Sequence, residues 1–201
     1  TDVAFKDVEA SLQVAHAVST HVVNMESDFF TAVDDLKKKY SDDHGSAMMG
    51  DTDYNSCCYY FYASLDTDQF RKNLDGASDA EGLARKALQG LASAMVFSNP
   101  SGKQNTFAGH ALPGVVCFQK KERKVPVSLA NAFEEPVRSR GGYMKPSAEK
   151  LAEHMDACDA GFGIPVESRL WFAPGLDVVP RACERVASIP DLLERVGSWM
   201  G

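Results

Sequence analysis

Two β-rich runs lie about 33 residues apart, and whatever joins them limits the folds open to this chain. The first is Leu12–Val23. Its Val14, His16, Val18, Thr20 and Val22 fall on one face of a strand, and its β-branched content favours strand over helix. The second is Cys57–Leu65, where Tyr59, Tyr60, Phe61 and Tyr62 form a strong strand signal. A separation this large rules out a tight hairpin turn. Structureless loops of this length inside a compact domain are usually functional or disordered. The stretch from His21 to Ser56 is patterned instead. It holds Phe29-Phe30, Met48-Met49, Lys37 to Lys39 and seven aspartates. The expectation is that the two runs pair antiparallel and that the stretch between them projects as an oversized hairpin connection, reaching a partner.

Downstream, Asp66–Leu74 reads as a short helix. Ser78 followed by Glu81 has the form of a capping box and opens a second helix with Leu83, Ala87, Leu88, Leu91 and Met95 on one face. Asn99-Pro100-Ser101-Gly102 ends it. Short strands are expected near Asn105–Ala108 and Val115–Gln119, with Val127–Phe133 open between strand and helix. A helix starts around Pro146–Ser147, with Leu151, His154, Met155 and Cys158 as its stripe and Gly161 as its cap. Ser168–Phe172 reads as a strand, and Pro190–Met200 as an amphipathic helix using Leu192, Leu193, Val196 and Trp199. This order predicts an α+β fold with helices on one face of an antiparallel sheet.

At 201 residues the chain is one domain with an appendage, 1–201, the projecting segment lying at about 22–56. No run approaches the ~20 apolar residues that span a bilayer, so no membrane partner is expected. Five cysteines without CxxC spacing argue against a disulfide framework or zinc site and fit a reducing cytoplasm. Charge is uneven. The whole chain carries −7, but residues 101–150 hold 9 basic and 4 acidic side chains. That basic middle suggests a local anion-binding surface.

Catalytic chemistry finds little support. Asp51-x-Asp53-x-Asn55 opens like an EF-hand loop, but Ser56 and Tyr62 stand where Gly and Glu are required. His16 and His21 face opposite sides of a strand and read as structural. Ser147-x-x-Lys150 lacks the motifs that accompany it in β-lactamase-type enzymes. A hydrolase would need Asp34, Asp35, Asp51 and Asp53 to converge on a metal. The expectation is a non-enzyme without a cofactor.

Binding is better supported. Two readings are open for Phe29-Phe30 and Met48-Met49: they pin the segment to its own core or to the domain, or one aromatic and one methionine form a wedge that parts stacked bases. Lys103, Gln104, Asn105 and Thr106 place a cation beside amide and hydroxyl donors, which suits phosphate or sugar contact. A protein-only docking arm is the competing reading.

The runs VAHAVSTH, DFFTAVDDL, GSAMMGDTDYNS, YYFYASLD, GKQNTFA and PVSLANAFEEPV, with Tyr143–Pro146, resemble the CasC family in this order from about residue 10 to 150. That family is the crRNA-binding backbone of the type I-E CRISPR Cascade complex. The resemblance implies a modified RRM-like (ferredoxin-like) palm, incomplete here, with a projecting thumb. It implies a cytoplasmic, non-catalytic subunit partnered by crRNA, by target DNA through the crRNA, by copies of itself and by other Cascade subunits. It assigns RNA contact to Phe30, Thr31 and Met49 on the thumb, and to Lys103 and Gln104. It also implies that the chain is the C-terminal part of such a protein.

Overall fold

The computed structural model describes residues 8–32 and 48–200. The two β-rich runs pair antiparallel as expected, in pieces. Leu12–Val14 (β1) runs against Ala63–Leu65 (β6), and Val18–Ser19 (β2) against Tyr59–Tyr60 (β5). Four steps from Val14 to Val18 match three from Ala63 to Tyr60, so the first strand is bulged between the two pairings. The same two strands then continue outward. Glu26–Ala32 (β3) pairs with Met48–Tyr54 (β4) over seven residues each. What looked like a connection therefore carries a two-stranded ribbon along its described residues. The valine face of the first run is open: Val14, Val18 and Val22 are exposed. No described element packs over it, and polar residues anchor the run instead.

The second half builds the core. Val116–Lys120 (β7), Ser168–Phe172 (β8) and Glu184–Arg185 (β9) form a sheet in the order β7-β8-β9, antiparallel then parallel. In β8 the last three residues, Leu170, Trp171 and Phe172, are consecutive apolar residues, so both faces must be covered. Leu170 and Phe172 pack into one cluster with the helices Ala80–Phe97 and Ile189–Gly197. Trp171 packs into another, with Met155, Leu151 and Cys158 of the helix Met144–Phe162. Helices thus lie on both sheet faces, and the sheet is mixed. The expected one-sided antiparallel arrangement is corrected on both counts.

The helices are numbered α1 Thr67–Asn73, α2 Ala80–Phe97, α3 Gln104–Phe107, α4 Met144–Phe162 and α5 Ile189–Gly197. Asp66 caps α1 by accepting from the N–H groups of Asp68 and Gln69, both at 3.1 Å. Asp79, not Ser78, caps α2 through the Gly82 N–H. The buried stripe of α2 is Ala84, Leu88, Ala92 and Val96, while Leu83 points outward. Small alanines on this stripe let α5 approach closely, which the larger Leu83, Leu91 and Met95 would prevent. α4 runs through Gly161 and stops at Gly163, whose φ of 58° ends it in the left-handed region. Asn105–Ala108 is not a strand. Lys103 and Ala108, at φ of 52° and 45°, reverse the chain on either side of the single turn α3, leaving no extended backbone to pair.

Candidate functional site

The outer ribbon β3–β4 carries most of the residues expected to contact a partner. Its register places Thr31 directly opposite Met49, and Phe30 directly opposite Gly50. Strand alternation then sorts the side chains. Phe29, Thr31, Met49, Asp51 and Asp53 share one face. Phe30, Gly50, Thr52 and Tyr54 share the other. The ring of Phe30 lies across Gly50, where an added Cβ would sit 2.8 Å from Phe30 Cζ. Phe30 and Met49 therefore cannot act together as two sides of one wedge. The exposed apolar group beside Met49 and Thr31 is Phe29. It is 62% exposed and Met49 65%, against 41% for Phe30. Sequence reasoning had Phe29 in view as part of an aromatic pair but did not assign it to this face. Alternation within Phe29-Phe30-Thr31 carries the signal.

The described ribbon holds Glu26, Asp28, Asp51 and Asp53 and no lysine or arginine. Ser27 Oγ donates to Asp53 Oδ1 at 2.5 Å across the two strands. A surface with this charge repels phosphate and leaves apolar contact as its chemistry. Asp34, Asp35, Lys37 to Lys39, Asp42, Asp43 and His44 lie outside the described residues. Among the described residues no group of histidines, cysteines and carboxylates is arranged to hold a metal.

Between the inner and outer ribbons, the six residues Thr20–Met25 face the four residues Asn55–Cys58. His21 sits in this break and is buried. Its Nε2 accepts from the Cys58 N–H at 3.1 Å, so the proton is on Nδ1, which donates to the Val22 carbonyl at 2.8 Å. The imidazole stacks on the Tyr143 ring at 3.7 Å and 13°. Beside it, Ser147 Oγ donates to Thr20 Oγ1 at 2.8 Å in a buried contact, and the Val137 N–H donates to the Thr20 carbonyl. These contacts fix the ribbon's root to the start of α4. They also settle Ser147 as structural, since Lys150 instead reaches the Glu135 carbonyl. Ser147→Ala is expected to destabilise the chain by about 1–3 kcal/mol, because it strands the buried Thr20 hydroxyl. Urea unfolding of the two proteins checks this.

Lys103 and Gln104 lie near that root. The turn they open ends in Phe107, which meets Tyr54 of β4 edge-on at 5.2 Å. Tyr54, Phe107, His21 and Tyr143, together with Asn24 and Asn55, line a cleft of about 300 Å³. The structure thus brings Lys103 and Gln104 to the base of the ribbon while Thr31 and Met49 sit far out along it. The basic middle is partly neutralised: Lys120 pairs with Glu167, and Lys124 with Asp66 and Asp68. Lys103, Arg138 and Arg140 have no ion-pair partner among the described residues. No described helix is long and apolar enough to cross a membrane.

Comparison with known proteins adds the following. A family model described as CT1975-like protein matches residues 1–195. A chain of a solved structure described as a CRISPR RNA-guided surveillance complex, pre-nicking, is 27% identical with a TM-score of 0.82. It is covered over 53% of its length by 100% of this chain, so the chain spans about half of that relative. A chain of a second structure, described as a CRISPR RNA-guided surveillance complex, is 29% identical with a TM-score of 0.79. There 95% of this chain covers 71% of the other. No curated protein matches. These findings correct the assignment to the type I-E CasC family: the matching family is the CT1975-like one, along residues 1–195.

Proposed function

The chain belongs to the CT1975-like protein family, and from that premise we propose that it is a non-catalytic backbone subunit of a CRISPR RNA-guided surveillance complex. In this reading it binds the guide RNA, stacks with copies of itself and joins other subunits of the complex. The mixed α+β body acts as an RRM-like palm, and the ribbon within about 22–56 acts as a thumb. Phe29, Thr31 and Met49 enter between adjacent bases and part them, leaving the remaining guide bases free to pair with target DNA. Lys103 and Gln104 hold the backbone near the ribbon's root. The observation that carries this reading is the likeness of the whole chain to a chain of a surveillance complex. The ribbon's chemistry supports it: exposed Phe29 and Met49, on described strands that carry carboxylates and no cation, suit contact with bases rather than phosphates.

A second reading has one observation in its favour. Val14, Val18, Val22 and Phe61 are exposed on the inner ribbon and its flanks, which suits a module that self-associates without nucleic acid. Size-exclusion of the chain with and without a guide RNA separates the two. The expected result is a shared high-mass peak that collapses on RNase treatment. Self-association that ignores both RNA and RNase overturns the RNA-binding reading in favour of the protein-only one.

A further inference from the structure

Three sulfur atoms from three different elements converge on the α4 face of the sheet. Cys117 lies on β7, Cys183 immediately precedes β9, and Met155 comes from α4. All three belong to the cluster around Trp171. The Cys183 thiol donates to Met155 Sδ at 3.9 Å. The Cys117 and Cys183 thiols are hydrogen-bonded to each other. The Gln119 amide borders the set, its Nε2 lying 3.9 Å from Cys117 Sγ and 4.0 Å from Met155 Sδ.

The backbone keeps the two thiols from joining. β8 lies between β7 and β9, which puts the two cysteine backbones about 10 Å apart at ~4.8 Å per strand. A disulfide spans Cα atoms no more than about 7 Å apart. An ion placed between the sulfurs bridges what a disulfide cannot. Three sulfurs in a plane around one ion, at bonds of about 2.3 Å, lie about 4 Å from one another, and the Cys183–Met155 separation of 3.9 Å has that length. The thioether narrows the choice of ion. Thiolate and thioether ligands together select a soft ion such as Cu(I). Structural zinc takes four ligands, and among the described residues no third histidine, cysteine or carboxylate joins the two thiols. Both cysteines are half-buried rather than sealed. A cleft of about 220 Å³, with Gln119 and Met155 in its lining, leads to the cluster.

We propose that Cys117, Cys183 and Met155 form a trigonal site for Cu(I). The two thiols release their protons to solvent as the ion binds. The thiolates make the two strong bonds and the Met155 thioether makes the third. Gln119 directs an N–H at the sulfurs from the side and holds them in place.

The test uses the whole chain carrying Cys57→Ser, Cys58→Ser and Cys158→Ser, which leaves Cys117 and Cys183 as its only thiols. No RNA is present, so the outcome is independent of the guide-RNA reading. Cu(I) is supplied without oxygen as its bathocuproine disulfonate complex, and methionine methyl NMR follows the protein. The expected result is transfer of one equivalent of Cu(I) to the chain, with the Met155 methyl signal shifting and those of the other six methionines unmoved. Cys117→Ser and Cys183→Ser each lose that equivalent. Met155→Leu conserves core volume and weakens binding roughly tenfold, the scale of losing one lesser contact at a metal. Zn(II) leaves the Met155 methyl where it was. Should the serine variants fail to fold, X-ray absorption of the Cu(I)-loaded parent decides, with three sulfur neighbours expected. No transfer from the chelator, an unshifted Met155 methyl, folded serine variants that still bind, or a shell containing nitrogen or oxygen overturns the proposal. An equal Met155 shift with Zn(II) overturns the assignment to a soft ion.

Discussion

Trp171→Ala is expected to lower the unfolding free energy by about 3–5 kcal/mol, the largest loss from any single substitution in this chain. Trp171 is fully buried in the central strand of the three-stranded sheet. Its Cα neighbours are Cys117 on β7 and Arg185 on β9. Its ring fills the cluster formed with Met155, Leu129 and Ala173. Its indole N–H donates to the Val178 carbonyl at 2.7 Å, tying the loop after β8 back onto the sheet. Alanine removes the ring, leaves a cavity the rigid strand cannot close, and frees the Val178 carbonyl. Folded domains have only about 5–15 kcal/mol in hand, so the variant should unfold at markedly lower urea. Trp171→Phe keeps most of the ring and loses the N–H, and is expected to cost about 1–2 kcal/mol. A loss below about 1 kcal/mol for the alanine variant would show that the α4 face of the sheet is not the core described above.

That strand was readable in advance because its signal is local. Ser168–Phe172 is apolar at three consecutive positions, and the structure gives it the same bounds. The terminal helix was readable for the same reason, with Leu192 and Val196 buried on one face. The antiparallel pairing of the two β-rich runs was also readable, since both carry strong strand residues. What failed depended on contacts between distant segments. The buried face of α2 was misjudged in part: Leu88 is buried as expected, but Ala84, Ala92 and Val96 share its face in place of Leu83, Leu91 and Met95, and small residues there allow α5 to pack closely. The turn at Gln104–Phe107 was misread because the left-handed residues Lys103 and Ala108 are not glycines and carry no mark in the sequence. The site was half legible. Within Phe29-Phe30-Thr31, alternation alone pairs Phe29 with Thr31. Which methionine joins them depends on the register of β4, and that register is set by the unequal break at His21, which no local pattern shows.

The register also yields the largest functional effect expected. If the ribbon parts bases with one face, Phe29→Ala combined with Met49→Ala should weaken guide-RNA binding roughly 10- to 100-fold, in line with ~1–3 kcal/mol per stacked base. Phe30→Ala should change affinity less than about threefold. That ring covers Gly50 on the other face, so its loss loosens the ribbon without removing a contact with RNA. Salt dependence separates this role from a general electrostatic one. The described ribbon has no cation to release counterions, so the double variant should bind more weakly at every salt concentration with an unchanged slope of log K against log salt. Lys103→Gln, which removes a cation placed for phosphate contact, should instead flatten that slope by about one. Fluorescence anisotropy of a labelled guide RNA across a salt series measures both quantities, with circular dichroism confirming that each variant is folded. A Phe30→Ala defect as large as that of the double variant would put the contact on the wrong face. A flattened slope in the double variant would mean that the ribbon meets phosphates after all, against the charge its described strands carry.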